Sequence, residues 1–266
     1  MRSLFILLAG LFFLISPPLR AQDDDPAKRG KTRLEQGDFD GAIADFTSVI
    51  QANPRQAEAY SERGIAKYCK DDFDGAAADE EAAIKIDPKN APAFYYRGLV
   101  KYHKQDLDGA IADFNRAIEL DPKDPDVFNN RGDARDDKGD FAGAISDYGH
   151  VIELDPKYAA AYNNRGNAER EKGDVNAAIS DFTRAIALNP KYALAFRNRA
   201  NAKKIAGDKE GAFADYDKAL EIDPKYADAY LDRGVAKDEK HDFDGAIADF
   251  NHAIELDPNN ASVYND

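Results

Sequence analysis

Seven prolines stand at a constant interval of 34 residues: Pro54, Pro88, Pro122, Pro156, Pro190, Pro224 and Pro258. A fixed period of this size without slippage marks an array of repeated units, so fold and function have to be read per unit. With the proline at place 32, the units run 23–56, 57–90, 91–124, 125–158, 159–192, 193–226 and 227–260, followed by a stub at 261–266.

Each unit reads as two short helices. In the third, Ala93 to Lys104 carries apolar residues at helical spacing, Gln105-Asp106 turns the chain, and Leu107 to Leu120 repeats the spacing before Asp121-Pro122. Helices this short are marginal alone in water, and one hairpin cannot bury its own faces. Stacking on neighbours is therefore obligatory, and 22–266 is expected to fold as one array without internal domain boundaries.

Four recurrences describe the packing. Place 8 is glycine in six units and Ala200 in the sixth unit, which predicts a close helix approach there. Place 20 is always alanine, and the two helices of a unit are expected to cross where these small residues meet. Aromatic residues recur at place 4 (Tyr60, Phe94, Phe128, Tyr162, Phe196, Tyr230) and at place 24 (Phe46, Phe114, Tyr148, Phe182, Tyr216, Phe250), as core stripes. Place 16 is always aspartate, suited to cap the second helix, which the proline then ends.

On these residues the chain resembles the tetratricopeptide repeat (TPR) family throughout 23–260. The resemblance implies an all-α solenoid of antiparallel helix pairs in a right-handed superhelix, whose first helices line a concave groove that binds protein or extended peptide. Two departures stand out. Arginine occupies place 7 and aspartate place 23 in all seven units. The pairing predicts a ladder of forked arginine–aspartate contacts between the helices; the alternative is that both point separately into water.

The first 21 residues have another character. Arg2, the apolar run Leu4 to Ile15, the break at Ser16-Pro17-Pro18 and Ala21 have the build of a secretory signal peptide, too short to cross a bilayer. An uncleaved anchor is the alternative. Cleavage before Gln22 makes the protein periplasmic or secreted, and loss of Arg2 and Arg20 takes the net charge from −14 to −16. Such a chain repels phosphate backbones and anionic membranes, which argues against nucleic acid as partner. The single cysteine, Cys69, forms no internal disulfide and is expected to be a small, at least half-buried hydrophobe.

The family's groove-facing places (2, 5, 6, 9, 12 and 13), carried onto this chain, imply the candidate binding residues. Units two and three offer Ile65, Tyr68, Tyr95, Tyr96, Leu99 and Tyr102. Unit four is acidic, with Asp126, Asp133, Asp136 and Asp137. Units four to six carry Asn129, Asn130, Asn163, Asn164, Asn167, Asn198 and Asn201 beside Arg197. Asn130, Asn164 and Asn198, all at place 6, would bond successive amides of an extended peptide, or else are solvent-facing amides that recur only because the units are alike. The family's clamp for a peptide C-terminus does not transfer, because the seventh unit supplies Asp228 and Asp232 where it needs cations.

The second unit lacks the place-24 aromatic and has Glu80, which suggests a weakly packed helix or a joint. In the stub, Tyr264 matches place 4, so the apolar face of the seventh unit is expected to be partly bare and open to self-association. The four histidines lie in different units without ligand spacing, and no phosphate loop or activated nucleophile is evident. The residues thus point to a non-catalytic scaffold without cofactor or metal, binding a partner with apolar and basic groups in its groove. The other function in view is a structural or assembly subunit of an envelope or secretion complex, associating through its C-terminal end.

Overall fold

A computed structural model describes residues 25–258; the signal-like segment 1–21 and the stub bearing Tyr264 lie outside them. Fourteen helices and no strand occur among the described residues, two helices per unit: α1 (Pro26–Glu35), α2 (Phe39–Ala52), α3 (Ala57–Tyr68), α4 (Phe73–Ile86), α5 (Ala91–His103), α6 (Leu107–Leu120), α7 (Pro125–Asp137), α8 (Phe141–Leu154), α9 (Ala159–Glu171), α10 (Val175–Leu188), α11 (Ala193–Ile205), α12 (Lys209–Ile222), α13 (Ala227–Asp238) and α14 (Phe243–Leu256). None is long and apolar enough to cross a membrane.

The helix ends follow the sequence signals. All seven place-16 aspartates cap the second helix, each accepting a bond from the backbone N–H three residues on, as Asp106 does from Gly109 at 3.0 Å. The residue before each proline is pushed out of helical geometry; Asp87 has φ −129° and ψ 98°. Place 15 turns the chain between the two helices with positive φ. It is glycine in four units, but Asp71, Gln105 and His241 adopt the same left-handed conformation.

The core is a chain of small clusters, one set per junction. Above five of the six place-8 glycines sits the place-24 ring: a Cβ on Gly98 would lie 2.7 Å from Phe114. In the sixth unit, where place 8 is Ala200, that residue clusters with Ala212 at place 20, as expected of small residues meeting within a unit. Ala42, Ala144, Ala178 and Ala212 cluster with Ala66, Ala168, Ala202 and Ala236 on the next unit's first helix. Small residues at place 20 thus also serve the stacking of units, and the ring against glycine serves the crossing within a unit.

The arginine–aspartate ladder is present in all seven units. Arg131 donates to Asp147 through Nε at 2.9 Å and through a terminal nitrogen at 2.6 Å, and Asp147 is 1 % exposed. The same fork joins Arg29–Asp45, Arg63–Asp79, Arg97–Asp113, Arg165–Asp181, Arg199–Asp215 and Arg233–Asp249. In units two to seven the guanidinium also lies over its own place-4 ring, at 5.5–5.8 Å. A second cation at place 11 reaches the same aspartate in six units, as Arg135 reaches Asp147 at 2.8 Å. In the fifth unit that place holds Glu169. Burial and the nearby Asp181 push its carboxyl up to about 7.

Odd-numbered helices of successive units touch one another, whereas even-numbered helices make no comparable contact. The array therefore bends toward the odd-numbered helices, which form its inner wall. Two local expectations change. Glu80 is no sign of loose packing: it is fully buried beneath Gly64, in the position of the missing ring. Cys69 is exposed at the end of α3 rather than half-buried, with its thiol held up by partial burial and by Asp71.

Candidate functional site: the inner face

Places 2, 5, 6, 9, 12 and 13 of the odd-numbered helices are the ones that the resemblance implies for the inner wall. Most of the amides implied as ligand contacts turn out to link units. Place 5 of one unit meets place 6 of the next. Asn130 donates to the Tyr95 hydroxyl at 3.0 Å, Asn164 to Asn129 at 3.4 Å, Asn198 to Asn163 at 2.9 Å, and Arg197 to Asp232 at 2.6 Å. Asn163 and Asn198 are 1 % and 7 % exposed, so their geometry gives them this inter-unit role and takes them off the accessible surface. The signal for these rungs was present in the sequence as polar residues at adjacent places 5 and 6, offset by one unit.

Place 9 is tied from below. The Tyr148 hydroxyl donates to Asp133 at 2.7 Å, and the Tyr216 hydroxyl donates to Asn201. Asn201 in turn donates to Asp232 at 2.9 Å. In the fifth unit the ring beneath is Phe182, which has no hydroxyl, and Asn167 Oδ1 is left buried without a partner.

The aromatic group lies together on units two and three. Tyr68 packs edge-on to Tyr96 at 6.0 Å and Tyr96 to Tyr95 at 5.0 Å, while Leu99 and Tyr102 lean on the core beneath. Tyr102 donates to Asp137 at 2.6 Å. Burial raises the Tyr95 and Tyr96 phenols, the latter to about 12. Asp133 is pushed up to about 6, first by burial and then by Asp137 and Asp136, against the pull of Tyr148 and Asn129. Arg197 is already matched by Asp228 and Asp232 and stacks on Tyr226 at 5.6 Å.

Two cavities open on this face in the same register, one unit apart. The first, of about 240 Å³, lies between units three and four; Tyr95, Tyr96 and Pro92 form its apolar wall, and Asp121, Asp124 and Asp126 its acidic rim. The second, of about 600 Å³, lies between units two and three and shares Ala91, Pro92 and Tyr96 with the first. The aromatic wall and acidic rim of the first suit a cation on an apolar stem.

Family models described as tetratricopeptide repeat or TPR repeat match residues 28–91, 100–136, 132–169, 159–192, 200–237 and 227–260. No curated protein matches the chain. Among solved structures, MamA is 31 % identical with a TM-score of 0.55, covering 62 % of this chain and 96 % of its own. YrrB, described as a TPR protein with an unusual peptide-binding site, is 24 % identical with a TM-score of 0.62 over 69 % of this chain and 95 % of its own. The C-terminal part of a TPR repeat-containing protein from Cytophaga hutchinsonii is 20 % identical with a TM-score of 0.69, covering 89 % and 97 %.

Proposed function

The chain belongs to the tetratricopeptide repeat family, and from that premise we propose that it is an exported, non-catalytic scaffold that holds an extended, basic stretch of a partner protein along its inner wall. The carrying observation is the cavity in which Tyr95 and Tyr96 face Asp121, Asp124 and Asp126. A lysine or arginine stem packs on such rings while its charge meets the rim, and the net charge of −14 steers a basic partner toward it. That YrrB is described as a peptide binder supports the same reading. The accessible candidates are then Tyr68, Tyr95, Leu99 and Tyr102, with Asn129, Asn130, Asn164, Asn167 and Asn201 as the polar floor.

Fluorescence anisotropy with a labelled Lys-Ala-Pro repeat peptide and its Glu-Ala-Pro counterpart tests this. The lysine peptide should bind with an affinity that falls as salt rises, and Tyr95→Ala and Asp126→Asn should each weaken it at least fivefold. Equal binding of the glutamate peptide sinks the proposal. Export is tested by N-terminal sequencing of the mature protein, which should begin at Gln22.

A second reading, an assembly subunit, draws on the last helix. Phe243 and Ile247 are 56 % and 58 % exposed, whereas Ile43, Ile111, Ile145 and Ile179 at the same place as Ile247 are half-buried. Ile247→Asp would convert a self-associated form to monomer under size-exclusion chromatography if this reading holds, and leave a monomer unchanged if the groove is the main surface.

A further inference from the structure

The rungs join units three to seven and are missing at the two junctions before them; between units one and two, place 5 is Ala27, which has no polar side chain. Where units two and three meet, places 5 and 6 hold Ser61 and Tyr96, and the Ser61 hydroxyl has no hydrogen-bond partner although the residue is only 3 % exposed. Here the 600 Å³ cavity opens, with Ser61 in its lining beside Glu58, Glu62, Ile65 and Tyr96. Next to Ser61, and outside the lining, lies Glu80, fully buried; the Ser61 hydroxyl is near enough to favour its ionised form, but neither group completes a hydrogen bond of normal geometry. A buried carboxyl without a partner is costly. The unit that departs from the repeat at place 24 thus borders both junctions without a rung, and at the second of them the Ser61 hydroxyl is left unsatisfied.

We propose that this cavity receives a lysine ε-ammonium of the bound segment, with the Ser61 hydroxyl accepting from it and donating to Glu80. The proposal rests on the groove-binding reading and names the group recognised at this junction. An ammonium fits better than a guanidinium: the free acceptors are scattered, and three rotatable donors can meet them where a rigid fork cannot. The Tyr96 ring and Ile65 offer a wall for the methylene stem.

The surrounding charges are accounted for. Lys31 on α1 donates to Glu58 at 2.5 Å and lies 3.7 Å from Glu62, and Lys89 lines the mouth. Facing Glu80 are Asp79 on its own helix, Glu62 on α3 and Arg97 on α5. Burial outweighs the favourable Ser61 and Arg97 contacts and lifts the Glu80 carboxyl to about 9, so it is protonated at neutral pH. An arriving ammonium favours the ionised form, so binding near pH 8 should release up to about one proton.

The probe is Nα-acetyl-lysine amide, titrated by NMR against the full chain, with Nα-acetyl-norleucine amide and Nα-acetyl-arginine amide as controls. The lysine probe should shift the Ser61 and Tyr96 resonances. The controls, and the Ser61→Ala and Glu80→Gln variants, should bind at least tenfold more weakly. Calorimetry in phosphate and in Tris should differ by the heat of the released proton, and Glu80→Gln should abolish the difference. Equal binding of norleucine or arginine amide, unchanged binding by Glu80→Gln, or no proton release overturns the inference. Should Glu80→Gln fail to fold, Ser61→Ala carries the same decision. A lysine peptide that binds wild type and Glu80→Gln equally sinks this inference alone, whereas failure of that peptide with the amide still bound sinks the groove reading alone.

Discussion

Asp147 illustrates how much rests on single side chains in this array. It is the meeting point of Arg131 and Arg135, with almost no water contact. Asp147→Ala leaves two half-buried cations facing each other, so the stability loss should be on the order of 2–4 kcal/mol, well above a surface pair. Urea denaturation reads this directly, and an unchanged midpoint would mean the ladder carries no weight. The orphaned oxygen of Asn167 invites the opposite change. Phe182→Tyr copies the arrangement of Tyr148 over Asp133 and Tyr216 over Asn201, and should stabilise by about 1 kcal/mol. Adding Asn167→Ala in a double-mutant cycle should remove that gain.

At the level of the helix and its turns, place 15 is the weak point. A non-glycine residue in the left-handed region costs about 1–2 kcal/mol, and Gln105 sits there with φ 62°. Gln105→Gly should raise the thermal midpoint, by roughly 1 kcal/mol at the transition, while the same change at solvent-exposed Lys104 should lower it. Helix identity and capping were legible in the sequence because each signal recurs seven times in phase: the α6 bounds match the expected Leu107 to Leu120 span. The arginine–aspartate ladder was legible for the same reason. What escaped was contact across units. The place-5 to place-6 rungs, and the alanines that pack on the next unit, depend on how neighbouring hairpins tilt, which periodicity within a unit does not encode. Glu80 and Ser61 stood out only as exceptions; their adjacency is a fact of three dimensions.

For the whole molecule, the pH dependence follows from one buried and two half-buried acids. Glu80, Glu169 and Asp133 hold their protons up to about 9, 7 and 6 when folded. The unfolded chain releases them near the ordinary carboxyl values, so between roughly pH 4 and 9 the folded form binds more protons and stability falls as pH rises. The contribution is fully present below the unfolded values and lost through the folded ones. Chemical denaturation at pH 5, 7 and 9 should show this decline, and Glu80→Gln should flatten its upper half; a rise across the window would contradict it. The shared offset of the rungs has a consequence for chain length. Because every unit meets its neighbours through the same places, excision of 91–124 would bring Ser61 alongside Asn130 and hand the unsatisfied hydroxyl an amide, erasing both cavities at once. Growth and shrinkage by whole hairpins are thus open to this lineage as a route to gaining or discarding a ligand, with no redesign of the parts that remain.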